Sequence, residues 1–588
     1  MRTKQEAFEF TRGKLIFDFS KMYCDTAAKL LQSELFFEVI VRFLSKLEAK
    51  ESPIFITISE KLESAKSEYA KSLVNLFRLL ISHRAEEIME LNKEYKAILS
   101  EKQCLVEFIE ELYNFWRRFE RFFYIEAPKR ENAKDNIHHA QFIKYNIEFK
   151  NLVLEVYRTI EENVSGTIPR TYRQLPAGTN MAMLIEKIDW QIPNILEIAK
   201  DVPFIRLTVM ESPLILYPEM NTRKGSFTEI YELKKDMVLI VSEEWFCYPA
   251  KIGELTAFLY FHQDFISQGL SLSNLFKIAE HCEIKNKQPD IVLFFGIKNV
   301  NLPESPVFYE DKDTGMLIGL LAHSKEIDYF GYFKKMPLTL HNISMIRKGR
   351  LPFHGAMANL KVKGGSVAGV VLVGDSGAGK SETLEAMRTL ADEHIREMKI
   401  IFDDMGSINA AGDKKILGYG TEIGAFVRLD DLQAGYAYEE IDRSIFMNPD
   451  KINARLIIPI ANYDDIIKGC EINIVLYANN YEEVDEEHPI LEFFNTAKDA
   501  LDVFRSGARL AKGTTDEKGI VHTYFANPFG APHRKTAHEA CAEVCFNKMF
   551  DVGVKVGQIR TRLGIKGFEY EGPKQAAMEL FKMIKERR

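Results

Sequence analysis

Residues 369–387 read Gly-Val-Val-Leu-Val-Gly-Asp-Ser-Gly-Ala-Gly-Lys-Ser-Glu-Thr-Leu-Glu-Ala-Met. An apolar run ends at Gly374, a glycine-rich turn follows, and Lys380-Ser381 opens an amphipathic helical pattern. Gly374, Gly379, Lys380 and Ser381 satisfy the fixed positions of G-x-x-x-x-G-K-[ST], with Asp375, Ser376, Gly377 and Ala378 between them and Glu382 next. Gly377 and Gly379 let successive backbone N–H groups turn inward and form a concave anion site. The start of the following helix adds partial positive charge. In such a loop the lysine reaches the β- and γ-phosphates and the serine hydroxyl binds the divalent metal. The stretch therefore predicts a strand–loop–helix unit that handles phosphate, within an α/β domain.

The bulk properties narrow the class. A chain of 588 residues holds several domains. With 77 basic against 85 acidic residues, the net charge of −8 gives no global field toward nucleic acid or an anionic membrane. The 7 cysteines are scattered without a C-x-x-C pair, which points to a reducing compartment and not to a disulfide framework. Cys541 and Cys545 share a helical face, either as core thiols or as half of a metal site. The N-terminus lacks the apolar core of a signal peptide, and no run approaches the ~18–20 apolar residues of a membrane span. The expectation is a soluble cytoplasmic protein that binds neither nucleic acid nor membrane.

Outward from the loop, the texture changes along the chain. Residues 1–165 hold almost no Gly or Pro, and 60–98 and 102–124 repeat apolar residues at three- and four-residue steps. That predicts an all-α helical bundle, for interaction with a protein partner or for regulation. The aromatic- and Arg-rich run 115–124 reads either as a core stripe at helical spacing or as a single-strand nucleic-acid platform. Breakers cluster between Val164 and Asn180. Beyond about 200, short apolar runs alternate with turn-rich stretches in an α/β manner. The expected segments are a bundle at 1–165, an α/β substrate-side domain at 166–335 and a P-loop catalytic domain at 336–588.

After the loop helix, Lys399-Ile400-Ile401-Phe402-Asp403-Asp404 reads as a buried strand ending in two carboxylates. Acids at the carboxyl end of a strand beside a P-loop are suited to hold a phosphate-bound Mg²⁺ or to act as a base. Arg223, in the turn-like patch Asn221–Ser226, has the chemistry to grip a carboxylate or phosphate.

Asp375-Ser376-Gly377 in the loop, the pair Asp403-Asp404 after it and His354 in Pro352-Phe353-His354-Gly355 before it resemble the superfamily of phosphoenolpyruvate carboxykinase and HPr kinase/phosphorylase. Tyr329-Phe330-Gly331-Tyr332-Phe333-Lys334-Lys335 is similar to the Y-x-G-x-x-K-K element of ATP-type carboxykinases. So are Thr421-Glu422-Ile423, the N-x-R-x-x-x-P segment from Asn453 to Pro459, and the block from Phe504 to Thr514 with Phe525 to Gly530 beyond. The resemblance implies a mixed-sheet, P-loop carboxykinase-like core that converts oxaloacetate and ATP to phosphoenolpyruvate, CO₂ and ADP. It implies a Mn²⁺ held by Lys335, His354 and Asp404, and a Mg²⁺ near Ser381 and Asp403. Lys380 and Arg455 would carry charge to the migrating phosphoryl group, with Tyr329 and Arg223 toward the substrate.

The chain also departs from that family. Gly379-Lys380-Ser381-Glu382 stands where carboxykinases read G-K-T-T, and matches the HPr-kinase form. Met405 stands where a third acid is usual, and the early G-R-S-P substrate element is missing, leaving Arg223 or Arg173 as substitutes. Arg560-Thr561 are the nearest candidates for a purine pocket. Three readings stay open: a carboxykinase-like lyase using ATP, GTP or pyrophosphate; a protein kinase using Asp404 as base; and a non-catalytic nucleotide-binding regulator.

Overall fold

The structure, a computed structural model, describes residues 7–586 apart from 63, 128–135, 169–174, 224–225, 300, 304, 364–365, 413, 431, 433–438 and 512–518. Arg173 and the Lys512–Thr514 end of the Phe504 block lie outside the described residues. The fold is mixed α/β with large mixed sheets. The chain divides into two compact units, one of Met1–Glu186 with Ile205–Glu211, the other of Lys187–Phe204 with Ser212–Arg588.

The first unit is helical for much of its length, as the apolar periodicity predicts. Its helices include Glu34–Ala49, Tyr69–Leu80, Lys102–Arg118 and Asn136–Ser165. Ser33 caps one of them, its hydroxyl accepting from the Phe36 N–H at 3.1 Å, which satisfies a donor the helix itself cannot. Phe43, Phe77 and Phe108 fill the interior.

The expectation of an all-α segment is corrected by strands Phe8–Thr11, Lys14–Asp18 and Glu120–Glu126, which form a sheet with Met181–Glu186. The run 115–124 is thus half helix and half strand. The helix stops at Arg118, and Glu120–Glu126 pairs in parallel with strands on both sides. Its Phe122 and Phe123 are fully buried, as an inner strand of a parallel sheet requires. Arg121 is buried too, its guanidinium donating to the carbonyls of Gly178, Trp116 and Phe119 at 2.8–3.0 Å. The run is core.

The second unit holds the loop. Its central sheet orders the strands Leu417–Gly420, Ile395–Asn409, Leu351–Val362, Val367–Val373, Ile474–Asn479 and Lys555–Arg560. Val367–Val373 is antiparallel to Leu351–Val362 and parallel to Ile474–Asn479. Apolar side chains cover both faces. Ala356, Leu372, Leu384 and Leu476 lie in one layer, and Met357, Val373, Phe402 and Tyr477 in the other. A second sheet places Leu255–His262, Ile291–Ile297 and Leu317–Ala322 side by side in parallel. The Phe330–Arg347 helix is buried almost throughout, Pro337 included, and carries Lys334 and Lys335. Among the described residues no helix is long and apolar enough to cross a membrane.

Candidate active site

The strand Val367–Val373 delivers the chain to the loop, and the helix Lys380–His394 leaves it. Gly377 and Gly379 adopt φ of +78° and +91°, the left-handed backbone that glycine alone takes without strain. The turn is fastened from three sides. Thr561 Oγ1 donates to the Ala378 carbonyl at 2.7 Å, and Asn480 Nδ2 donates to the Gly377 carbonyl at 2.9 Å. Asp375 accepts from Arg509 Nε and from Thr523 Oγ1, both at 3.0 Å. Lys380 is buried, its Nζ donating to the Asp375 carbonyl at 3.0 Å. Glu382 sits in the first helical turn, where a carboxylate complements the helix dipole.

The acids do not end their strand as expected. Ile395–Asn409 runs past them, because Leu351–Val362 supplies antiparallel partners along this length, pairing Ala356 with Asp403 and Gly355 with Asp404. What marks the place is backbone conformation. Asp404 has φ +147°, a region that costs a non-glycine residue about 1–3 kcal/mol. Asp403 Oδ1 accepts from Ser381 Oγ at 2.7 Å, tying the strand to the loop helix.

Asp404 gathers a separate cluster. Its Oδ2 lies 2.5 Å from Lys335 Nζ and 2.6 Å from Lys334 Nζ, and its Oδ1 lies 3.0 Å from His354 Nε2. Burial alone would raise this carboxyl, but Lys334, Lys335 and His354 hold it well below the usual carboxylate range. Lys335 is pulled the other way. Burial and the Lys334 charge outweigh Asp404 and lower its ammonium to about 8. Lys334, 1 % exposed, is kept protonated against burial by Asp404 and Glu422. Glu422 lies 3.0 Å from Lys334 Nζ, though neither of its buried oxygens is in hydrogen-bond geometry. Burial lifts its carboxyl to about 7, with Lys334 opposing.

His354 is oriented from behind. Its Nδ1 lies 2.8 Å from the Ala526 carbonyl, which places a proton on Nδ1 and aims Nε2 at Asp404. Ala526 and its neighbour Phe525 both hold φ of +51°, so strained backbone presents that carbonyl. His354 Nδ1 also approaches Asp375 Oδ1 at 3.5 Å, linking the cluster to the loop. An imidazole nitrogen, a carboxylate and a lysine shifted toward neutrality converge here, and this donor set fits a divalent cation.

Phe529 joins the substrate-side candidates to this cluster. Lys335 Nζ lies 4.5 Å from its ring centre, Arg223 Cζ 5.6 Å, and the His354 ring packs edge-on at 5.9 Å. Arg223 also stacks on Phe227 at 5.1 Å, and burial lowers its pKa. Tyr329, buried before the first turn of the Phe330–Arg347 helix, has its hydroxyl pushed up by burial while the charges of Arg455 and Arg223 act on it. Arg455 stacks on Phe426 at 5.5 Å, and its buried Nε has no hydrogen-bond partner among the described residues.

Lys335, His354, Asp403, Asp404, Ser381 and the loop therefore come together, with Arg223, Tyr329 and Arg455 grouped around the neighbouring aromatic rings. Arg560 does not fit an open purine pocket. It is buried and bound to Glu482 and Glu492 at 2.8 Å, while Thr561 serves the loop. Sequence reasoning passed over Lys334, Phe529 and Arg509 as site residues. Lys334 and Arg509 sit inside quoted motifs, and Phe529 lies within the Phe525–Gly530 segment. No protein-family model and no curated protein matches the chain.

Proposed function

We propose that the chain is a phosphoryl-transferring decarboxylase of the carboxykinase type, acting on oxaloacetate with ATP or another phosphoryl donor. One observation carries this reading. A phosphate loop and a lysine–histidine–aspartate cluster are joined through adjacent carboxylates, Asp403 on Ser381 and Asp404 on Lys335 and His354.

Lys335, His354 and Asp404 would hold a Mn²⁺-like cation, and Ser381 with Asp403 a nucleotide-bound Mg²⁺. The first cation would supply Lewis acidity toward the enolate left by decarboxylation. The protein's own residues do the rest. The loop N–H groups and Lys380 hold the donor's phosphates against the helix start. Arg455, with a buried unsatisfied donor, offers positive charge to the migrating group, where it stabilises best in a dry site. Arg223 and Tyr329 orient the substrate carboxylate, and Phe529 holds the cationic groups in register.

The kinase reading, favoured by Ser381-Glu382, asks Asp404 to act as a base. Held far below neutral pH by two lysines and His354, Asp404 is a poor proton acceptor. The test is phosphoenolpyruvate formation from oxaloacetate with Mn²⁺, Mg²⁺ and ATP, GTP or pyrophosphate in turn. Formation with any donor supports the proposal, whereas none with all three removes it.

A further inference from the structure

A second group of metal-ligating side chains lies on the other sheet of the same unit. His262 ends the strand Leu255–His262, Asp264 follows in the next turn, and His323 comes directly after the strand Leu317–Ala322. Ile291–Ile297 runs between these strands, parallel to both, so the three residues meet at the carboxyl ends of parallel strands. That edge is where open α/β sheets bind their ligands. One ligand atom from each residue falls within 4.8 Å of the others. Asp264 Oδ2 is 2.8 Å from His323 Nε2 and 3.4 Å from His262 Nδ1. Bonds of about 2.0–2.1 Å to a tetrahedral Zn²⁺ place ligand atoms roughly 3.3 Å apart; the Asp264–His262 separation matches this, and the Asp264–His323 hydrogen bond opens as a cation enters.

Two further features mark this as a built arrangement. Glu244 Oε2 lies 2.9 Å from His262 Nε2, which places the ring proton on Nε2 and turns the Nδ1 lone pair toward Asp264. A carboxylate behind a histidine in this way orients metal ligands and raises their basicity. The middle strand carries Gly296 at φ +98°, where a Cβ would stand 2.6 Å from the Phe265 ring and 3.2 Å from the His262 Cβ. The missing side chain is what allows the turn bearing Asp264 to fold over the strand end. A cation competes here with the Asp264–His323 hydrogen bond at 2.8 Å and with the Asp264 N–H, which donates to His262 Nδ1 at 3.1 Å, a neutral bond that a charged ligand contact outweighs. Lys298 Nζ lies 3.6 Å from the same Glu244 oxygen.

We propose that His262 Nδ1, Asp264 and His323 Nε2 form a binding site for a divalent transition-metal cation of the Zn²⁺ class, with Glu244 as the positioning residue behind His262. Two imidazoles and one carboxylate suit Zn²⁺ or Co²⁺ better than Mg²⁺ or Ca²⁺, which prefer all-oxygen ligation. Three protein ligands leave a position open for water or a small anion.

The test uses the full-length protein, stripped with a chelator and titrated with Co²⁺, with Zn²⁺ as competitor. The wild type is expected to develop visible d–d absorption that Zn²⁺ abolishes. Asp264→Asn and His323→Ala, shown by circular dichroism to be folded, are expected to lose one bound metal per chain. His354→Ala is expected to keep it, which separates this site from the P-loop centre. Glu244→Gln is expected to weaken Co²⁺ binding about 10–100-fold. His323→Cys, which keeps a ligating atom, is expected to bind Co²⁺ with a thiolate-to-cobalt charge-transfer band that no structural role of His323 produces. Absence of Co²⁺ absorption in the wild type, or unchanged absorption in folded Asp264→Asn and no charge-transfer band in His323→Cys, overturns the proposal.

Discussion

Lys335 Nζ lies 2.5 Å from Asp404 Oδ2, the oxygen that Lys334 meets at 2.6 Å. One carboxylate thus answers two lysines on consecutive helical positions, of which Lys334 is 1 % exposed and Lys335 16 % at the side chain. Removing one member of a buried charge group leaves the others uncompensated. Asp404→Asn is therefore expected to destabilise the second unit by about 3–5 kcal/mol, measured by denaturant unfolding. It should also abolish phosphoryl transfer in the fraction that folds.

The loop makes a steric prediction. At Gly379, φ is +91°, and a Cβ would stand 2.6 Å from Thr561 Oγ1. Gly379→Ala must shift the Thr561 hydroxyl that fastens the Ala378 carbonyl and strain the backbone as well. The expected cost is about 1–3 kcal/mol, together with loss of the thermal protection that MgATP gives the wild type. Protection equal to wild type would mean that the loop does not hold the phosphates.

Two histidines set an acid limit on stability. Burial lowers the imidazolium of both His341 and His538 to about 4. Their ordinary value is about 6.5, so between these values the unfolded chain binds the protons. The contribution of these two is then complete above about 6.5 and falls as pH drops toward 4, by up to ~1.4 kcal/mol per pH unit for each histidine. Glu422, raised to about 7, opposes them over the same window. Unfolding midpoints measured across this window should fall with acid, and His538→Asn should flatten the slope. A midpoint that does not vary over the window would contradict the assignment.

His354→Ala separates the two halves of the centre. The loop keeps its strand, its helix and its fastening by Thr561, Asn480 and Arg509, so MgATP should still raise the unfolding temperature. The metal-side cluster loses Nε2, and kcat is expected to fall on the order of 10²–10³-fold, as for loss of a positioned electrostatic contact. Near-full activity would show that His354 is not part of the site.

The loop was legible because its requirements are local. Glycines at positive φ, a strand before and a helix after are all encoded within about twenty residues. Elements set by distant partners were not. Glu120–Glu126 lies beside a helical apolar period, but parallel neighbours on both sides draw it into a sheet. Asp403 and Asp404 read as the end of a strand that in fact continues to Asn409, because its length is fixed by Leu351–Val362 opposite. Lys334 has the sequence appearance of any surface lysine. Only the approach of Asp404 and Glu422, from strand and loop far along the chain, makes it a buried counter-ion. Phe529 likewise becomes the shared face of Lys335, Arg223 and His354 only in three dimensions.

The most direct test of the central claim follows the phosphoryl group itself. Purified protein is incubated with γ-labelled ATP, oxaloacetate, Mn²⁺ and Mg²⁺, and the label is located. Label is expected in phosphoenolpyruvate with matching CO₂ release, and is expected to be lost in Lys380→Met and His354→Ala. Label that appears only in inorganic phosphate or on a protein, with no phosphoenolpyruvate from ATP, GTP or pyrophosphate, would contradict the claim.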